Sequence, residues 1–209
     1  MALDLEEQEK VAELKAWWNQ HGTLVTALVA AAALAVAGWS GWQWYQASQA
    51  AGASALYETL SKAATENDAK ALRDAGGTLV ESYPRTQYAA LGALLSARYY
   101  FDRNDLKNAK AQLQWVIERA SPDLRDLARL RLGAILLDEK AYDEALKAAE
   151  APHGAAFDAQ FAALKGDALV AKNQAAEAKA AYKVALEKAP PSQRAFRDSV
   201  RMRLEGLGG

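Results

Sequence analysis

The stretch Ala159–Ser192, AQFAALKGDALVAKNQAAEAKAAYKVALEKAPPS, decides the fold. It is built from strong helix formers, and its only prolines stand at its end. Gly166 places a small residue in a first helical run. Glu177 and Ala178 open a second run, and Tyr182, Ala185 and Pro190 follow. Small residues at Gly166 and Ala178 let two helices approach closely, Tyr182 fills the gap beside them, and Pro190 stops the second helix.

The same arrangement recurs upstream. Asp126–Ala159 has Leu132-Gly133 in its first run and Tyr142-Asp143-Glu144-Ala145 at the entry to its second. Ala90–Asp123 has Ala97 and Tyr100, then Asp105-Leu106-Lys107-Asn108-Ala109. The copies are offset by 36 and 33 residues, and prolines at 84, 122, 152 and 190 fall 38, 30 and 38 apart. All five prolines are expected outside the helices. Apolar residues recur at three and four, as in Leu91, Leu94 and Leu95, and no stretch alternates at period two, so the domain is all-α.

These three copies, 90–123, 126–159 and 159–192, resemble the tetratricopeptide repeat, a helix-turn-helix unit of about 34 residues that stacks into a solenoid. Two departures stand out: Lys165 replaces the usual leucine before Gly166, and the first copy lacks the family's leading tryptophan, with Ala93 there. Residues 47–65 and 68–83 read as a degenerate fourth pair closed by Tyr83-Pro84. Residues 192–204 read as a capping helix, with glycines 206, 208 and 209 fraying beyond it.

Before the repeats lies a different kind of segment. No charged residue occurs from Ala16 to Tyr57, and Thr23–Tyr45, TLVTALVAAAALAVAGWSGWQWY, makes a helix of roughly 34 Å against a hydrocarbon core of roughly 30 Å. Trp17 and Trp18 mark one rim, and Trp39, Trp42, Trp44 and Tyr45 the other, as amphipathic rings at two membrane interfaces do. A cleavable signal peptide is the competing reading, with Ser48-Gln49-Ala50 as its cleavage site. The run is too long for one, and Asp4, Glu6, Glu7, Glu9 and Glu13 outnumber Lys10 and Lys15 where a signal peptide is basic. The segment reads as a retained transmembrane helix at 23–45, between a tail at 1–22 and the repeat domain at 46–209. Lys10, Lys15 and the terminal amine on one side, against Lys62 on the other, lean slightly towards a cytoplasmic N-terminus. Small residues Ala33, Ala37 and Gly41 recur every four positions and offer an edge for packing against another membrane helix. Plain alanine richness explains the same pattern.

Chemistry is scarce. The chain has no cysteine and two histidines, His21 at the membrane edge and His153 in a Pro-His-Gly turn, each expected to be a solvated residue rather than a general base. No phosphate loop, dinucleotide motif, zinc-protease motif or nucleophile elbow occurs, and no cofactor is implied. Adjacent acids such as Asp138-Glu139 point apart on a helix and make no catalytic dyad. Setting aside Lys10, Lys15 and the five tail acids leaves 23 basic and 21 acidic residues, a net charge of +2, which gives no footprint for nucleic acid. The chain does not read as an enzyme.

What the repeat resemblance implies is binding, along a face lined by first helices. By alignment the first copy brings Leu91, Leu94, Leu95, Arg98, Phe101 and Asp102. The second brings Leu127, Leu130, Arg131, Ala134, Leu137 and Asp138, and the third Gln160, Ala163, Leu164, Asp167, Val170 and Ala171. Leu94, Arg98, Phe101, Leu130 and Arg131 are expected to form an apolar patch flanked by two cations. The alternative is that these leucines merely pack the superhelix. The groove lacks the Lys/Asn set with which chaperone-tail-binding members of the family grip a terminal carboxylate, so a hydrophobic helix or extended segment is the expected ligand.

Taken together, the acidic tail Asp4-Leu5-Glu6-Glu7-Gln8-Glu9 with Trp17-Trp18, the single span followed by Gly41-Trp42-Gln43-Trp44-Tyr45, and the short repeats resemble the YfgM-type family of ancillary subunits of the bacterial Sec translocon. That resemblance implies an inner-membrane protein with its repeat domain in the periplasm. It implies association with SecYEG and with a PpiD-like membrane-anchored chaperone, and assistance to exported client chains. Two other readings remain open: a scaffold for envelope assembly or division, and a cytoplasm-facing regulator of the same fold.

Overall fold

A computed structural model describes the backbone of residues 5–208 and the side chains of residues 7–208. The first residues of the acidic tail and the final glycine lie outside the described residues. The chain divides into two compact units, residues 1–49 and 50–209. Every regular element among the described residues is helical: α1 Leu5–Glu66, α2 Ala69–Ser82, α3 Gln87–Phe101, α4 Leu106–Arg119, α5 Pro122–Asp138, α6 Tyr142–Ala149, α7 Asp158–Ala171, α8 Ala175–Lys188 and α9 Arg194–Gly206, with a 3₁₀ turn at Ala155–Phe157.

In the first unit, Thr23–Tyr45 is a helix whose side chains are exposed apart from a half-buried Val25. A helix this apolar with no protein cover is stable where lipid is the solvent, because its backbone bonds are all internal. Its polar atoms follow the same rule: the Thr26 hydroxyl donates back to the Gly22 carbonyl at 2.8 Å. At the rim His21 stacks on Trp17, ring centroids 5.1 Å apart, so it is an aromatic partner rather than a freely solvated base. Among the described residues this N-terminal helix is the one long and apolar enough to cross a membrane.

The repeat is written most plainly in its turns. Asn67, Asn104, Lys140 and Asn173 each adopt a left-handed backbone, φ between 59 and 62°, between the two helices of a pair. Directly after each, a backbone N–H closes the preceding helix: Asp68 to Ala63, Asp105 to Tyr100, Ala141 to Leu136 and Gln174 to Leu169, all at 2.8–2.9 Å. This is the Schellman closure. Asparagine tolerates its left-handed residue better than other side chains with a Cβ, which explains three of the four. The turns are 37, 36 and 33 residues apart, so α1 with α2 forms a pair of the same kind as the other three.

Five residues beyond each turn, one helical face meets its partner. Ala109, Ala145 and Ala178 are fully buried there, and the first pair has Leu72 instead. Seven residues before each turn stand Ala97, Gly133 and Gly166, with Leu60 in the first pair. The two glycines are closely covered: a Cβ on Gly166 would lie 2.5 Å from Tyr182 Cδ1, and one on Gly133 2.5 Å from the end of Leu164 at Cδ2. The leucine-bearing first pair is accommodated by Gly92 on α3, where a Cβ would sit 2.8 Å from Leu79 Cδ1 and 3.1 Å from Leu60 Cδ2.

Three boundaries differ from the sequence reading. Pro122 does not separate helices; it is the first residue of α5, where its missing N–H removes only a bond the helix start lacks anyway. In consequence α5 begins before Asp126, and the boundary at 123–126 falls inside it. The helix α6 is short, and residues 151–157 leave it as a loop and 3₁₀ turn.

That loop is held by a buried carboxylate. Asp126, 3 % exposed, accepts from Gly154 N–H at 2.8 Å and from the Arg129 guanidinium at 3.2 Å. Arg129 also donates to the Pro152 carbonyl at 2.7 Å. His153 is correspondingly packed rather than solvated: its ring stacks on Phe161 at 4.0 Å and its Nδ1 meets the Ala151 carbonyl at 2.7 Å. Asp126→Asn keeps the shape but loses a charge-assisted pair, so the melting midpoint should fall by about 3–6 °C, corresponding to about 1.5 kcal/mol. An unchanged midpoint in thermal circular dichroism would show that the clamp contributes nothing.

Candidate functional site

On α3, Arg98 and Phe101 lie three apart and Ala97 beside them; on α5, Arg131, Ala134 and Ile135 repeat the spacing. The 3.6-residue period turns each set to one side of its helix. The two sides face each other across a cleft of about 200 Å³ lined by Ala97, Arg98, Phe101, Leu113, Arg131, Ala134 and Ile135. Its floor is apolar, and the small side chains of Ala97 and Ala134 leave the space. Leu113, from α4, closes the bottom.

The rim is cationic. The Arg98 guanidinium donates to both carboxylate oxygens of Asp102, each at 2.8 Å, one helical turn along α3. That hydrogen bond and the carboxylate's charge raise its pKa further above the ordinary arginine value. Arg131 behaves oppositely. Burial beside the cleft, and then the charge of Arg98, lower its pKa. Both remain cationic at any working pH.

A second, wider cleft of about 410 Å³ lies on the other side of Arg98, with Leu95, Asp102 and Arg103 among its walls. Arg103 is already engaged there: its guanidinium lies 3.4 Å from the centre of the Tyr99 ring and donates to the Tyr99 carbonyl at 3.1 Å.

Of the nine residues expected to line a groove, the structure brings Arg98, Phe101 and Arg131 into one cleft. Leu91 and Phe101 are exposed to 37 % and 38 %, whereas Leu95, Leu127, Leu130 and Leu137 are half-buried and not among the cleft's lining: Leu95 packs against the core of the first pair, Leu127 against the core between α3, α4 and α5, and Leu137 against the contact of α5 with α6 and α7. Leu94 is a correction. At 5 % exposure it packs with Ala109, Leu113 and Val116 in the core between α3 and α4, because its place on the helix turns it towards the paired helix rather than outward. In the third copy Leu164 is likewise buried, over Gly133.

Asp167 is not available to a ligand either. It accepts from the Tyr182 hydroxyl at 2.7 Å and from Arg203 at 2.8 Å, tying α7 to α8 and α9. Burial, then donation to Asp167, pushes the Tyr182 hydroxyl far above the ordinary tyrosine value. Sequence reasoning missed Leu113 as cleft floor. Its signal is the coincidence of small residues at 97 and 134, which exposes whatever the second helix places behind them.

In the first unit, Ala33, Ala37 and Gly41 are all exposed along the apolar helix, and a Cβ on Gly41 would meet nothing within 4 Å. Among the described residues no group of three or more His, Asp or Glu converges to hold a metal ion. The adjacent acids serve ion pairs between helices: Glu139 with Lys110 at 2.6 Å, and Asp143 with Lys172.

Paired helices closed by turns of one kind, presenting clefts and, among the described residues, no catalytic constellation, define a tetratricopeptide-like binding scaffold that follows an apolar membrane-spanning helix. The tetratricopeptide repeat-like domain family matches residues 15–209. Relatives described as an ancillary SecYEG translocon subunit are 34 % identical over 209 residues in Neisseria gonorrhoeae, covering 99 % of this chain and all of the relative, and 29 % identical over 186 residues in Haemophilus influenzae, covering 88 % and 91 %. A third, in Escherichia coli, is 29 % identical over 136 residues, 65 % of each chain. The chain belongs to this family of ancillary SecYEG translocon subunits. No solved structure matches it significantly.

Proposed function

We propose that this chain is a single-pass inner-membrane adaptor of the SecYEG translocon. On this reading residues 1–22 are cytoplasmic, 23–45 cross the membrane, and the repeat domain from residue 46 works in the periplasm beside a PpiD-like chaperone, handling exported client chains. The observation that carries it is similarity over the whole length to the relative in Neisseria gonorrhoeae, anchor and repeats alike. The α3–α5 cleft is the surface through which the domain holds its partner, because Phe101, 38 % exposed beside an apolar floor, is stabilised by whatever covers it. Bond-making chemistry plays no part.

Orientation rests on Lys10 and Lys15 outnumbering Lys62 near the span. A reporter active only in the cytoplasm, fused after Gly209, should be silent, while the same reporter before Met1 should be active. The reverse pattern would overturn both the orientation and a periplasmic role.

The exposed edge Ala33, Ala37 and Gly41 is where we place contact with another membrane helix. Helices in lipid associate by close packing, and leucine at these positions holds the backbones apart. Ala37→Leu combined with Gly41→Leu should therefore lower co-purification of SecYEG while leaving membrane insertion unchanged; undiminished recovery would reduce the stripe to composition.

A further inference from the structure

Several cations of this part of the fold have partners: Arg98 has Asp102, Arg103 has the Tyr99 ring, Lys110 has Glu139 and Arg129 has Asp126. Among the described residues Arg131 has no carboxylate partner, and the neighbouring charge that acts on it is that of Arg98, itself paired with Asp102. Its side chain is open to solvent at the cleft rim, so an incoming carboxylate can reach it, and the pairing gains most where the partner excludes water. Beside it the floor formed by Leu113 and Ile135 is wholly apolar, and about 200 Å³ suits one bulky side chain, since a cavity of about 150 Å³ already holds benzene.

Resting on the proposal that this cleft is the binding face, we infer that its occupant is a partner polypeptide segment carrying one bulky apolar side chain and, a helical turn away, an Asp or Glu whose carboxylate pairs with Arg131. The apolar group fills the floor beside Phe101, and the carboxylate neutralises the rim. A bare phosphate or lipid headgroup matches only the cation and leaves the floor wet. A second apolar group in place of the acid leaves Arg131 unpaired.

The test uses the full chain in detergent micelles and three short fluorescein-labelled, C-terminally amidated helical peptides. They are identical except at two positions a turn apart, which carry Glu with Leu, Gln with Leu, or Glu with Ser. By fluorescence anisotropy the Glu–Leu peptide should bind about tenfold more tightly than either of the others, the discrimination expected of one charge-assisted hydrogen bond or one buried side chain. Arg131→Gln should erase the preference for Glu over Gln while retaining that for Leu over Ser, and Arg131→Lys should restore part of it. Among the described residues the Arg131 side chain makes no hydrogen bond or ion pair, so thermal melting of these variants should match the parent.

Equal binding of Glu and Gln peptides, a preference that survives Arg131→Gln, or no binding at all overturns the inference. So does displacement of the Glu–Leu peptide by glycerol phosphate at equal concentration, which would assign the rim to a headgroup, or an Arg131-dependent dimer, which would assign the cleft to a second copy. If a photocrosslinker at Phe101 still captures a partner in cells when the peptides fail to discriminate, only the carboxylate assignment falls. If that capture also fails, the binding face itself is misplaced.

Discussion

Gly166→Leu should melt about 10 °C below the parent, corresponding to an overpacking cost of about 3 kcal/mol in a domain of this size. The cause is local and specific. Even one Cβ at this position would lie 2.5 Å from Tyr182 Cδ1 and 2.9 Å from its Cζ. Tyr182 cannot step aside freely, since its hydroxyl donates to Asp167, which also holds Arg203. Pushing the ring out therefore breaks a three-helix junction as well as the α7–α8 contact. Ala178→Leu, at a fully buried position on α8, should act in the same direction. Thermal circular dichroism decides the matter: a loss no larger than that of a surface substitution would mean the pair is not close-packed.

Phe101→Ser should do the opposite, leaving melting within about 3 °C of the parent while reducing partner capture severalfold. Phe101 is 38 % exposed at the cleft, so it contributes less to folding than a fully buried ring would and leaves a sizeable part of its surface for a partner. Leu130→Ser should lower the melting midpoint more and reduce capture less, because Leu130 is half-buried and offers a partner less surface. Leu94→Ser serves as the contrast: buried in the α3–α4 core, it should destabilise the domain outright. Should Phe101→Ser unfold the domain as badly as Leu94→Ser, Phe101 is core and the cleft is no binding surface.

The repeats were legible because their determinants are local. Ala109, Ala145 and Ala178 recur at the repeat spacing, and so do the small residues before each turn; both follow from helices packing at close distance. The span was legible for an equally local reason, the absence of charge over a membrane's thickness. The left-handed Asn67, Asn104 and Asn173 were visible letters whose meaning was overlooked, and they mark the first pair as a repeat more clearly than its leucines do.

What could not be read were facts set by the partner helix. The 3.6-residue period places Leu94 and Leu95 adjacent on one helix, yet Leu94 is core beside α4 while Leu95 is half-buried against the core of the first pair. Pro122 reads equally well as the end of one helix or the start of the next, and only the observed cap decides. Asp167 has the register of a groove residue but is claimed by Tyr182 and by Arg203 from 36 residues away, a distance no periodicity anticipates.

The most direct test of the adaptor account is photocrosslinking in intact cells. A photoreactive residue in place of Phe101, at the cleft, is compared with one in place of Val184, which is 44 % exposed elsewhere on the repeat domain. The account predicts that the Phe101 position yields discrete adducts containing SecYEG subunits or a membrane-anchored chaperone, and that Val184 yields few or none. Equal labelling at the two positions, or adducts at Val184 alone, would contradict it.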